Sequence, residues 1–125
     1  MSPENTKRLF EELPQLFRGR FQPITQNLMP FGFECHDGWL PLIHTLCAKI
    51  TVHAAEAKLD VMAVQVKEKW GALRFYVHGE DDYIESLIRD AEEASSHTCE
   101  WCGAPGGLWS RGGWYVTRCE EHIRA

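Results

Sequence analysis

Near the end of the chain two short runs, Cys99-Glu100-Trp101-Cys102 and Cys119-Glu120-Glu121-His122, leave it few ways to fold. A C-x-x-C turn aims two sulfurs at one point while backbone N–H groups approach the thiolates, and Gly103 supplies the left-handed conformation such a turn needs. The second pair follows after 16 residues, a hairpin's length, and completes a Cys3His donor set for one tetrahedral Zn2+. Arg111-Gly112-Gly113-Trp114 predicts the tip of that hairpin, with Trp109 and Trp114 to Val116 in its strands. The alternative, a redox pair at Cys99 and Cys102, calls for a strand–helix setting that this tail lacks. Knuckle, hairpin and second pair together resemble a treble-clef or zinc-ribbon finger. Four protein ligands leave no open position on the metal, so the ion is expected to be structural and not catalytic.

A chain of 125 residues, 44% hydrophobic and 25% charged, has the size and composition of one globular domain. The expected organisation is an α+β core over residues 1–97 with a zinc-finger subdomain over 98–125 packed on it. No apolar run follows the charged start, and none approaches the roughly 18 residues of a membrane span. The reading is a soluble, cytoplasmic protein whose five cysteines are metal ligands and reduced thiols.

Periodicity then places the core elements. Ser2-Pro3 predicts the start of a short helix with Leu9, Phe10 and Leu13 on one face, ended by Pro14. Residues 17–33 read as a loop anchored on the core through Phe21, Ile24, Leu28 and Phe31. Asp37 is expected to cap a long helix from about Gly38 to Leu59, with Leu42, Ile43, Leu46, Cys47, Ile50 and Ala54 along its apolar stripe. A period of two over 61–77 predicts a central β-hairpin turning at Trp70-Gly71. A second helix runs from about Asp81 to Ser95, its acidic first turn suited to the helix dipole.

The hairpin register sets Val66 opposite Phe75 and Val64 opposite Val77 on the apolar face. On the other face it sets Lys67 opposite Arg74 and Gln65 opposite Tyr76. Like charges directly across an antiparallel pair are destabilising unless an acid lies between them. That acid is either the chain's own acidic helix or a bound phosphate or carboxylate. Lys67, Trp70, Arg74 and Tyr76 are therefore the candidate partner-binding residues.

The net charge of −5 is concentrated late: residues 80–125 hold four Lys/Arg against ten Asp/Glu. Such a balance opposes general nucleic-acid binding, which depends on clustered cations at phosphates, although Arg111 and Arg118 on the finger offer a local alternative. Glu34-Cys35-His36-Asp37 groups an acid, a thiol and an imidazole, the one stretch where an enzyme site is conceivable. Neighbouring residues seldom face one another, however, and buried cysteine with capping aspartate explains the same run.

The stretch Val66-Lys67-Glu68-Lys69-Trp70-Gly71 through Leu73-Arg74-Phe75-Tyr76, with Cys99-Glu100-x-Cys102-Gly103-x-Pro105-Gly106 and Gly113-Trp114-x-x-Thr117-x-Cys119-x-x-His122, resembles a group of small uncharacterised proteins of bacteria, prophages and phages. The resemblance covers about the C-terminal half of the chain. It implies a phage or prophage setting, in which small non-enzymatic proteins act by binding a host protein. The function expected from sequence is thus a zinc-stabilised binding module acting on a protein or small anionic partner.

Overall fold

The computed structural model describes residues 1–123, without the side chain of Arg111. Ser2 opens α1 (Pro3–Glu12) as its position predicts: its Oγ accepts the Asn5 N–H at 3.2 Å, and Pro3 occupies the first turn, where no N–H is lost. Two short 3-10 turns, Arg18–Phe21 and Met29–Phe31, lead into the two-residue strand β1 (Phe33–Glu34). After another 3-10 turn come α2 (Leu40–Ala57), β2 (Met62–Lys69), β3 (Ala72–His78), α3 (Asp82–Ser95) and a second hairpin of β4 (Gly107–Arg111) and β5 (Trp114–Arg118). The first sheet has the order β1-β2-β3, parallel then antiparallel, and the second is β4-β5.

The α2 stripe of Ile43, Leu46, Cys47 and Ile50 and the α3 residues Ile84 and Ala91 share one core with Val66, Leu73 and Phe75 of the hairpin, completed by Leu9, Phe17, Met29 and Trp39. This is the expected α+β architecture, a central hairpin packed on helices. Asp81 caps α3 through the Ile84 N–H at 2.9 Å. Among the described residues no helix is long and apolar enough to cross a membrane.

Four local expectations are corrected. Asp37 does not cap α2, whose start has no side-chain cap; its Oδ1 instead accepts the Ser2 N–H and the Asn5 amide, at 2.9 and 3.0 Å, and so ties α2 to α1. Three of the four expected loop anchors are reversed as well, Leu28 alone being half-buried against the hairpin. Phe21 is 80% exposed and Ile24 and Phe31 also face solvent, while Leu16, Phe17, Met29 and Phe33 hold the segment down.

Strand β1 is not legible from a two-residue run, yet it places Glu34 beside Lys67. Finally, the hairpin register holds from Gln65/Tyr76 to Lys69/Ala72 but breaks at Val64, where a β-bulge sets Val77 opposite Ala63. The extra residue switches the buried phase from Val66 to Ala63 and Val61. It also frees backbone groups for the N-terminal loop, since Leu28 N–H donates to Val64 O and the Asn27 amide to Ala63 O.

The outer edge of β3 is occupied by side chains of α3. Ser95 Oγ accepts the Leu73 N–H at 2.9 Å and donates to Glu92 O, while a Glu92 carboxylate oxygen accepts the Phe75 N–H at 3.0 Å. Two donors of an edge strand are thereby satisfied without another strand. Replacing Ser95 with Ala should leave the buried Leu73 N–H unpaired and cost about 1–3 kcal/mol in chemical denaturation. A change below a few tenths would mean that water takes over the donor.

Candidate metal centre

The knuckle is built by backbone hydrogen bonds: Cys99 N–H to Ala104 O at 2.8 Å, and Gly103 N–H to Cys99 O at 2.9 Å, with Gly103 at φ +82° as the turn demands. Gly112 and Gly113, both at positive φ, form the tip between β4 and β5, whose far end carries Cys119 back to the knuckle. His122 follows on a turn closed by its own N–H to Cys119 O, giving the order knuckle, hairpin, turn expected of a treble-clef or zinc-ribbon-like finger.

These elements bring the Sγ atoms of Cys99, Cys102 and Cys119 and a ring nitrogen of His122 within 4.8 Å of one another. Cys102 Sγ lies 3.7 Å from Cys119 Sγ, and His122 Nδ1 lies 3.6 Å from Cys99 Sγ and 3.2 Å from Cys119 Sγ. Zn–S bonds of about 2.3 Å and a Zn–N bond of about 2.0 Å make tetrahedron edges of about 3.8 Å between sulfurs and about 3.5 Å between sulfur and nitrogen. The donor set thus fits a tetrahedral metal ion held through Nδ1. The spacing is far beyond the roughly 2.05 Å of a disulfide, and all five cysteines are free.

Electrostatics set Cys99 apart, whereas the Cys102 thiol is raised, the Ala104 N–H that lowers it being outweighed by burial and the neighbouring Cys119 and Cys99 thiols. Burial pushes Cys99 up, but the N–H groups of Cys119, Cys102 and Trp101 outweigh it and bring the thiol down to about 6. Those N–H groups stabilise a thiolate, the form that binds metal. Cys35 is pushed up to about 12, by burial first and the Glu100 charge second, and fully buried Cys47 is raised by burial alone. Trp101 lies beside His122, its ring 5.6 Å away, and the Arg118 guanidinium covers Trp101 at 4.4 Å.

The finger is locked to the core at two joints. At the first, Gly38 N–H donates to Glu100 O at 2.7 Å, Trp39 Nε1 to Thr98 O at 2.9 Å, and His36 N–H to the buried Glu100 carboxylate at 3.0 Å. Burial raises the pKa of Glu100, opposed by that His36 N–H. At the second, the Thr117 hydroxyl donates to Gly71 O at 2.5 Å, and Gly71 lies against Leu108 and Tyr115. Nothing in the sequence marks Glu100 or Thr117 as joints, because a polar residue between ligands reads as solvated.

The remaining expected site residues fall in separate places. Glu34 faces outward to Gln65, Cys35 points into the core, the His36 ring rests near Trp101, and Asp37 holds α1. The run is thus dispersed in four directions. Lys67 and Arg74 do face each other, both half-buried, and Tyr76 and Trp70 are exposed. The finger's tryptophans, Trp101, Trp109 and Trp114, are all exposed. The expected Arg111 phosphate contact lies outside the described residues.

No protein-family model matches the chain, and no curated protein or solved structure does either. Those comparisons therefore lend nothing to the phage or prophage setting that the sequence resemblance implies.

Proposed function

We propose that the chain is a non-enzymatic binding protein, stabilised by one structural Zn2+ at Cys99, Cys102, Cys119 and His122, whose hairpin face of Lys67, Arg74, Tyr76 and Trp70 engages the anionic groups of a protein or a small molecule. Zinc is favoured over other ions because thiolate-rich tetrahedral sets select it, and the reducing cytoplasm keeps those thiols available. The observation that carries the binding reading is the cation pair. Lys67 and Arg74 stand directly opposite each other, and among the described residues neither is ion-paired; Arg74 Nη1 donates only to its neighbour's carbonyl, Leu73 O. The acidic helix α3 spends Glu92 on the β3 edge instead of on Arg74. Glu34 lies across from Lys67 on β1 without forming a salt bridge to it. An anion seated between the two cations relieves their repulsion and receives the forked donor of Arg74.

The resemblance to phage and prophage proteins supports a host protein as the partner, in the cytoplasm of a bacterial cell. Weak duplex DNA binding is expected from the acidic C-terminal region. Arg74→Ala tests the reading. Partner binding, measured by calorimetry on a captured protein or anion, should weaken about tenfold or more, while stability moves by less than about 0.5 kcal/mol. A large loss of stability with unchanged binding would make Arg74 a structural residue and end the proposal.

A further inference from the structure

Trp70 stands at the first central position of the β2–β3 turn with φ +56°, followed by Gly71 at φ +81°. This is the type I′ geometry that Asn-Gly adopts readily, and a bulky aromatic residue there is under backbone strain. Burial does not compensate, because the side chain is 62% exposed. Strain held at an exposed aromatic points to use of that side chain by something outside the fold.

The surroundings of Trp70 come from the other subdomain. Its ring meets Tyr115 edge-on, with centroids 5.9 Å apart, and the adjoining Gly71 packs on Leu108. Leu108 and Tyr115 are themselves 55% and 40% exposed and lie on the same face of the β4–β5 hairpin. The core lies on the opposite face of β2–β3, with Val66, Leu73 and Phe75, so the face of Lys67, Arg74 and Tyr76 lies outside it beside this apolar cluster.

We infer that Trp70, Leu108 and Tyr115 are the apolar anchor of a composite protein-binding surface whose charged half is Lys67 and Arg74, and that the surface is complete only while the metal centre holds the finger against the Trp70-Gly71 turn. The inference rests on the reading of the hairpin face given above and names its partner: a protein presenting carboxylates to the cation pair and an apolar side chain to the cluster. Trp, Tyr and Arg are the residues that dominate binding energy at protein interfaces. Charge selects against nucleic acid. Glu34 borders Lys67 in register, and a net charge of −5 repels a polyanion. A protein surface carries both signs and can match the mixed row of Glu34, Lys67 and Arg74. An extended peptide cannot simply add to β3, whose Leu73 and Phe75 donors are taken by α3.

The test is selection of peptides from a random displayed library against the zinc-loaded full chain, followed by affinity measurement on the winners. Enriched peptides should combine acidic residues with an aromatic or aliphatic one. Arg74→Ala should weaken them about tenfold, and Trp70→Asn and Tyr115→Ala by about as much. Asn suits the left-handed turn, so Trp70→Asn should fold at least as well as the natural chain and separates the ring's contacts from the turn's geometry. Zinc removal by a chelator should reproduce the Tyr115→Ala loss. Acidic winners that respond to Arg74→Ala but ignore Trp70→Asn, Tyr115→Ala and chelation would overturn the composite surface and leave the anion reading standing. Winners indifferent to Arg74→Ala, or no winners, would overturn both. Labelled oligo(dT) of about ten nucleotides binding as tightly as the best peptide would overturn the assignment of a protein partner.

Discussion

The purified chain will carry one zinc ion per molecule, and Cys99→Ser or Cys119→Ser will lose it. Such an ion would supply what a segment of this size lacks: β4 and β5 bury little, and their aromatic residues Trp109 and Trp114 face solvent. Structural zinc contributes apparent folding energies of about 10–16 kcal/mol in isolated fingers, so its loss should unfold the segment from Thr98 onward. The effect should stop there, because the main core draws its burial from α1, α2, α3 and the central hairpin. Hydrogen exchange should show protection lost over residues 98–123 and retained on α2 and β2. Cys35→Ser and Cys47→Ser remove buried thiols remote from the donor set and should keep full zinc, whatever they cost in stability. Undiminished zinc in a Cys99→Ser/Cys119→Ser double variant would refute the assignment.

Gly38→Ala should destabilise the joint between core and finger severely for a change of one methyl group. A Cβ at position 38 would sit 2.3 Å from Cys99 O and 2.4 Å from Glu100 O, and both obstacles are backbone with no rotamer to change. Relief requires the knuckle to move away from the start of α2, which breaks the Gly38–Glu100 hydrogen bond and disturbs the Trp39–Thr98 bond beside it. Overpacking of this kind costs roughly 3 kcal/mol, seen as a fall in the denaturation midpoint. The four metal donors are untouched, so zinc should still bind, which distinguishes this variant from the ligand replacements. Gly107→Ala provides the contrast, since no atom lies within 4 Å of its Cβ and stability should barely change. Equal behaviour of the two variants would show that the joint yields freely.

Sequence reading was strongest where one period or one spacing dominates. Ser2-Pro3 forms a cap whose hydrogen bond is local, and the metal donors announce themselves by number and interval. The register from Gln65 to Lys69 follows from the turn alone. It fails at Val64, because a bulge is dictated by the loop residues Leu28 and Asn27 arriving from some 36 positions earlier. The same long range explains Asp37: its capping chemistry was legible, but its choice of Ser2 and Asn5 over the helix that follows it depends on tertiary packing. Phe21, Ile24 and Phe31 were read as anchors from hydrophobicity alone, and a segment without periodicity offers no way to tell inward from outward.

The first joint between core and finger also fixes an order of events during synthesis. Trp39 waits for a carbonyl 59 residues later in the chain, and the His36 N–H for a carboxylate 64 residues later. At about 5–20 residues per second, the ribosome leaves the start of α2 without its cover for roughly 3–13 s. During that interval the Trp39 indole N–H and the His36 N–H have only water to donate to, so the start of α2 reaches its final form after the rest of the core.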